Sequence, residues 1–182
     1  MKIVFNSLLL IALIIPAIKA QSQVQKSKEM KYQTIEKFNI IGISVKTTNA
    51  NGQAIKDIES LWGKFWGEEI KKQIPNKIND DIYAVYTNYE TDFTGPYTVI
   101  VGLTVSSLKE IPKYFVGISI ETANYQKFTS KGKMPEAVLN TWLQIWEDKE
   151  LKRAYKADFT VHGKKYYDGD HAEVETFISI KE

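Results

Sequence analysis

The chain has 182 residues, of which 43% are hydrophobic and 25% are charged, and it contains no cysteine. This length fits one ordinary domain, and the composition is that of a globular protein rather than a disordered one. The lack of cysteine excludes disulfide bonds, thiolate metal sites and lipid anchoring through an N-terminal cysteine.

The first twenty residues have the order of a secretory signal peptide. Lys2 supplies a positive start, residues 8–18 form an apolar run, and Ala20 offers a small residue for cleavage. The run is too short for an ordinary transmembrane helix, so we expect an exported protein, periplasmic or secreted, with no stable membrane insertion after cleavage. An uncleaved anchor is the alternative.

Removal of this segment changes the balance of charge. It takes Lys2 and Lys19 and no acid, so 24 basic residues become 22, equal to the 22 acidic ones. We therefore expect no nucleic-acid partner, because nucleic-acid binding needs a basic patch or stripe.

A polar segment at residues 21–31 predicts a flexible leader, and the predicted folded domain spans residues 32–182. Two segments of this domain have the apolar spacing of helices. The first lies between Asn51-Gly52 and Pro75, and its apolar face consists of Ile58, Leu61, Trp62, Phe65, Trp66 and Ile70. The second begins near Pro135, and its apolar face consists of Met134, Val138, Trp142, Ile145 and Trp146. We expect all four tryptophans to pack mainly against a sheet.

Segments rich in β-branched and aromatic residues surround both helices and predict strands. They span residues 38–47 and 117–128 before the helices, 82–89 and 97–105 after the first, and 157–162 and 174–180 after the second. The order is therefore βαββ twice, and the Trp-x-x-x-Trp pairs of the two helices are offset by 80 residues. The predicted fold is α+β: duplicated βαββ units form one antiparallel sheet with two helices on one face. A ligand can then occupy the other face or the seam between the halves.

Several segments match a known family in order and spacing. They are the opening strand at residues 42–49, a hairpin at 82–90 and 95–98, a second entry strand at 125–132, the helix around 142–146, and final strands at 157–159 and 172–175. Together they resemble the GyrI-like effector-binding domain, which also occurs at the C-terminus of AraC-type and MerR-type regulators. The resemblance covers about residues 32–181. It implies a duplicated βαββ domain that binds small molecules, often aromatic and cationic, in a cleft between its halves.

Some members of that family inhibit DNA gyrase, and some relatives hydrolyse strained electrophiles. The sequence shows no attached helix-turn-helix segment, and an exported protein would not reach gyrase, so we expect neither transcription regulation nor gyrase inhibition. His162 and His171 are the only histidines, and no HExxH motif or glycine-rich phosphate loop is present. We therefore expect no metal, no haem and no other cofactor.

Aromatic residues on the predicted strands suggest a cleft that stacks a small aromatic molecule. The candidate ligand-binding residues are Tyr83, Tyr86, Tyr89, Tyr125, Trp142, Asp158, Thr160, Glu175 and Phe177. The alternative for the tyrosines is that many of them only cover the sheet, since alternation points Tyr83 and Tyr86 to opposite faces. No catalytic residue is predicted.

The resemblance also shows a departure at Thr160. Relatives that bind cations or hydrolyse substrates usually carry a glutamate at this position, where its side chain points into the cleft. A threonine can donate a hydrogen bond but cannot neutralise a cation. The departure implies neutral or mildly polar aromatic ligands and weak or absent hydrolysis. Glu175 is the expected replacement acid, and Asp158 points the same way as Thr160 only if no bulge intervenes.

These observations predict an exported, effector-like small-molecule-binding domain with an aromatic cleft between its two repeats. Two alternatives stay open: a hydrolase of small electrophiles that uses a cleft carboxylate, and a protein-interaction domain that presents its sheet. An open cleft favours binding or hydrolysis, whereas a flat, closed face favours protein interaction.

Overall fold

The computed structural model describes residues 32–181. The strands are β1 (Tyr32–Ile35), β2 (Phe38–Thr48), β3 (Lys77–Thr87), β4 (Pro96–Val105), β5 (Val116–Ile120), β6 (Ala123–Lys131), β7 (Ala157–His162) and β8 (Glu173–Ser179), and the α-helices are α1 (Gln53–Gly67), α2 (Ile70–Gln73) and α3 (Glu136–Glu147). The expected signal peptide, residues 1–20, and leader, residues 21–31, lie outside the described residues. Within residues 32–181, no helix combines the length and apolarity needed to cross a membrane.

The eight strands form one antiparallel sheet in the order β1-β6-β8-β7-β3-β4-β2-β5. This order contains the βαββ unit twice. In the first half β4 lies between β2 and β3, and in the second half β8 lies between β6 and β7. β3 and β7 pair along the seam between the halves. The predicted α+β fold, with duplicated βαββ units in one sheet, is confirmed.

The edge strands differ from the sequence prediction. The segment expected as one strand at residues 117–128 is two strands, β5 and β6, separated by Glu121 and Thr122. β5 pairs with β2 of the first half, and β1, which the sequence did not predict, pairs with β6 of the second half. Each half therefore receives its edge strand from the other half.

The sheet is curled, and we call its concave side the inner face. The ring of Phe38 on β2 lies 5.3 Å from the ring of Phe159 on β7. In a flat sheet, three strand spacings would separate these strands by about 14 Å. Curling packs the buried apolar side chains of this face against one another: Ile40, Val85, Ile100, Ile120, Tyr125, Phe159 and Phe177.

The helices cover the opposite side of the sheet, which we call the helix face. α1 packs on β2 and β4 through Leu61 and Phe65, and α3 packs on β6 through Trp142 and Ile145. The first predicted helix is interrupted, because Glu69 has a φ of 50° and Ile70 lies in the separate helix α2. The central strands β3 and β7 lie between α1 and α3, and this gap contains the candidate site.

Candidate functional site

A cleft of about 570 Å³ lies on the helix face between α1 and α3. This volume is within the usual range of about 300–1,000 Å³ for small-molecule sites. Side chains of the strands form its floor, and those of α1, of α3 and of the loop between β3 and β4 form its walls. The aromatic and histidine residues that line it are Trp62, Trp66, Tyr86, Tyr89, Phe93, Tyr97, Trp142, Trp146, His162 and Tyr166.

All four tryptophans line this cleft, although the sequence predicted mainly core packing for them. Trp142 is buried, Trp62 and Trp146 are half-buried, and Trp66 is 43% exposed at the rim. The ring of Trp142 lies edge-on to Tyr86 at 4.7 Å between centroids. The helical spacing that buries one side of each helix therefore also turns indole rings toward the gap between the helices.

The loop between β3 and β4 is held against the cleft by Asn49. The Asn49 side-chain amide donates a hydrogen bond to the Phe93 carbonyl at 2.7 Å, and its Oδ1 accepts one from the Tyr97 hydroxyl at 2.8 Å. The Phe93 ring lies parallel to that of Trp146, with centroids 5.6 Å apart. This part of the wall is therefore fixed by hydrogen bonds as well as by stacking.

Asp158, Thr160 and His162 alternate along β7 and point to the helix face. The pairing of β7 with β3 is regular from Ala157 to His162, so no bulge intervenes. The Thr160 hydroxyl and His162 Nε2 form a 2.9 Å hydrogen bond, and among the described residues His162 Nδ1 has no partner. Burial lowers the pKa of His162 to about 4, so the imidazole is neutral at pH 7.

Asp158 is fully buried, and its charge is compensated by Arg153. Arg153 Nη2 lies 2.6 Å from Asp158 Oδ2, which also accepts a hydrogen bond from the Tyr89 hydroxyl at 3.0 Å. Asp158 Oδ1 accepts hydrogen bonds from the backbone N–H and the hydroxyl of Ser179 at 2.7 Å and 2.9 Å. Burial raises the pKa of Tyr89, and the Asp158 charge raises it further against the opposing effect of Arg153, so the phenol remains a donor.

The nine predicted site residues divide between the two faces of the sheet. Tyr86, Tyr89 and Trp142 line the cleft, and Asp158 and Thr160 are buried beside it on the helix face. The remaining four lie on the other face: Tyr83, Tyr125, Glu175 and Phe177. Tyr125 and Phe177 pack against Phe159, and Glu175 forms an ion pair with Lys127 at 2.5 Å. The structure therefore does not bring the expected replacement acid, Glu175, to the cleft.

Sequence reasoning did not assign Arg153, His162 or Phe93 to the site. His162 had a usable signal, because it continues the alternation of Asp158 and Thr160 on the same strand. Arg153 and Phe93 lie outside the regular strands and helices, where no periodicity indicates the direction of a side chain. Within residues 32–181, no group of three or more His, Asp or Glu residues is placed to hold a metal ion.

Three comparisons relate this chain to known proteins. A family profile described as "Cass2: Integron-associated effector binding protein" matches residues 32–180. A protein of Bacillus subtilis (strain 168) named as a transcriptional regulator, YobU, is 31% identical over 144 residues, which are 77% of this chain and 90% of that protein. The crystal structure of integron cassette protein VCH_CASS2 of Vibrio cholerae is 30% identical, with a TM-score of 0.65, and the match covers 83% of this chain and 95% of that one.

A more distant structure has the same fold. SAV2435, solved bound to tetraphenylphosphonium, is 17% identical with a TM-score of 0.71, and the match covers 83% of this chain and 93% of that one.

Proposed function

The chain belongs to the Cass2 family of integron-associated effector-binding proteins, and from this membership we propose that it binds a small aromatic molecule in the cleft between α1 and α3. The membership also confirms the predicted resemblance to effector-binding domains. One observation carries the proposal: the cleft lies at the seam of the two halves and has aromatic rings from both of them. Offset or edge-on ring contacts contribute about 0.5–1.5 kcal/mol each beyond the burial of apolar area.

The chemistry of the lining favours binding over hydrolysis. The carboxylate that a hydrolase would need is not free at Asp158, where Arg153, Tyr89 and Ser179 already occupy both oxygens. Glu59 is the single carboxylate among the lining residues, and it is exposed to solvent. Within residues 32–181, Nδ1 of the neutral His162 has no hydrogen-bond partner. This favours a ligand that carries a hydrogen-bonding group, because an unsatisfied buried polar group costs about 1–3 kcal/mol.

The fold of SAV2435 accommodates tetraphenylphosphonium, a compound with four phenyl rings. This supports the proposal that the fold can enclose a multi-ring ligand. An open cleft also supports small-molecule binding over a role for a flat, closed sheet in protein interaction.

A matched pair of tyrosines on β3 tests the proposal. Tyr86 lines the cleft, whereas Tyr83 lies three residues earlier on the inner face, and both are half-buried. We expect aromatic compounds that bind the cleft to quench tryptophan fluorescence. Tyr86→Ala should weaken the affinity of these compounds about tenfold, because the variant loses one ring contact with the ligand. Isothermal titration with the same compounds should show that Tyr83→Ala retains wild-type affinity. If Tyr83→Ala weakens binding and Tyr86→Ala does not, the ligand occupies the other face.

Export is the second part of the proposal, and the charged, apolar and polar order of residues 1–23 supports it. We expect the intact mass of protein recovered from its native cells to correspond to a chain that lacks residues 1–20. Replacement of Leu10 by Arg interrupts the apolar run and should leave the full-length chain in the cytoplasm. Full-length wild-type protein in the cytoplasmic fraction would contradict export without affecting the proposed ligand site.

A further inference from the structure

The guanidinium group of Arg153 lies in a cage of aromatic rings. Arg153 is only 5% exposed, and its Cζ lies 4.4 Å from the ring centroid of Tyr155. The rings of Tyr89, Phe93 and Trp142 lie at 5.8 Å, 5.9 Å and 5.9 Å. All four distances are within the range of about 6 Å at which a cation is attracted to a ring face.

The carboxylate of Asp158 completes this cage. It accepts a hydrogen bond from Nη2 of the guanidinium, whereas Nε and Nη1 have no hydrogen-bond partner among the described residues. Aromatic rings therefore surround the part of the guanidinium that hydrogen bonds leave free. Burial acts to lower the pKa of Arg153, but the charge of Asp158 and the neighbouring tyrosines raise it by more, so the group stays charged.

A ring cage with one buried carboxylate is the chemistry with which proteins bind organic cations such as guanidinium and quaternary ammonium groups. In this chain the occupant is covalently attached. Three of the four cage rings, those of Tyr89, Phe93 and Trp142, also line the cleft, so the cage and the cleft share a wall.

We infer that Arg153 is the built-in occupant of a cation site and thereby determines the specificity of the cleft, which accepts uncharged aromatic ligands in preference to organic cations. The inference rests on the proposed function for the position of the ligand. Its physical basis is that the Asp158 charge is already neutralised and that the ring faces nearest to Asp158 are already in contact with a cation. Among the described residues that line the cleft, an incoming cation would find no free buried carboxylate.

Removal of the guanidinium should convert the cage into a site for an external cation. We expect Arg153→Ala to be destabilised, because Asp158 is left buried without a counter-charge. Methylguanidinium chloride at about 10 mM should raise its thermal midpoint by at least about 3 °C relative to sodium chloride at equal ionic strength. Wild type should show no such rise. An Arg153→Ala protein that remains unfolded, or unstabilised, with methylguanidinium contradicts the inference.

Two further variants separate the parts of the cage. Arg153→Lys keeps an internal cation, so it should not respond to methylguanidinium. The double variant Arg153→Ala/Asp158→Asn keeps the rings but removes both charges, so it should also lack the response. An equal response of the double variant and Arg153→Ala would show that Asp158 does not act as the counter-charge and would overturn the inference.

The wild-type protein provides an independent measurement with two compounds of nearly equal shape. Triphenylphosphine oxide is uncharged, and methyltriphenylphosphonium is a cation. We expect the uncharged compound to bind wild type at least about tenfold more tightly, and Arg153→Ala to reverse this order. Equal or tighter binding of the cation to wild type would overturn the inference. If neither compound binds, the proposed function fails, and the methylguanidinium response still decides whether Arg153 occupies a cation site.

Discussion

His162 is a buried base that should make the stability of the fold depend on pH. Its pKa is lowered from 6.5 to about 4 by burial, so the unfolded chain binds more protons than the folded one between these values. The contribution of neutral His162 to the free energy of unfolding is fully present above about pH 6.5 and is lost as the pH falls to about 4. We expect urea unfolding to show that wild type loses about 3 kcal/mol more than His162→Gln between pH 7 and pH 4.

His171 provides the matched control, because it is exposed in the turn before β8. His171→Gln should change the free energy of unfolding at pH 7 by no more than about 0.5 kcal/mol, as is usual for replacements of exposed side chains. Parallel profiles for wild type and His162→Gln would mean that His162 is not held neutral by burial.

At the scale of single residues, the sequence predicted side chains that lie on regular elements better than those in loops. Tyr86 and Trp142 lie in segments whose strand or helix periodicity indicates the direction of the side chain, and both line the cleft. Arg153 was not predictable, because its burial depends on Asp158 and on rings from three segments: the loop between β3 and β4, α3, and the loop before β7 that also contains Arg153. Asp158 and Tyr155 lie near Arg153 in the chain, but Tyr89, Phe93 and Trp142 do not, and the sequence around Arg153 has no pattern that shows these rings converge on it.

The elements themselves were largely predictable, since hydrophobic period distinguishes α1 and α3 from the strands around them. The division of residues 117–128 into β5 and β6 was not predictable. Its break, Glu121-Thr122, contains neither glycine nor proline, and β5 is defined by pairing with β2, about 80 residues earlier. Long-range pairing, rather than local propensity, decides where such a strand ends.

The pairing of β2 with β4 depends on a close approach at two glycines. Gly42 lies opposite Gly102, and a Cβ on Gly42 would lie 2.2 Å from the Val101 carbonyl oxygen and 2.7 Å from the Gly102 Cα. We expect Gly42→Ala to lower the free energy of unfolding by about 1–3 kcal/mol, because backbone atoms of the core strands would have to move. Chemical denaturation measures the change.

The same replacement in α1 should have the opposite effect. A Cβ on Gly63 would meet no heavy atom within 4 Å, and alanine has the higher helix propensity. Gly63→Ala should raise the free energy of unfolding by up to about 1 kcal/mol. A neutral Gly42→Ala would show that β2 and β4 can separate locally without loss of the sheet.

The two halves of the molecule exchange edge strands and pair along one seam. β1 crosses to β6, β5 crosses to β2, and β3 pairs with β7 along the seam. The inner core draws on both halves, with Ile40, Val85 and Ile100 from the first and Tyr125, Phe159 and Phe177 from the second. The cleft lies over the same seam, so binding of a ligand and association of the halves depend on one interface.

Neither half should therefore fold alone, although the two should fold together. Residues 32–110 by themselves leave β1 without its partner and expose the seam edge of β3, and residues 111–182 do the same for β5 and β7. We expect circular dichroism and urea titration to show no cooperative unfolding for either fragment, and an equimolar mixture to form a 1:1 complex that unfolds cooperatively.

Val85→Asp, which places a charge in the inner core, should abolish the complex, whereas Ile78→Asp at a 61% exposed position of β3 should not. A single fragment that is monomeric and unfolds cooperatively would show that strand exchange between the halves is dispensable for the fold.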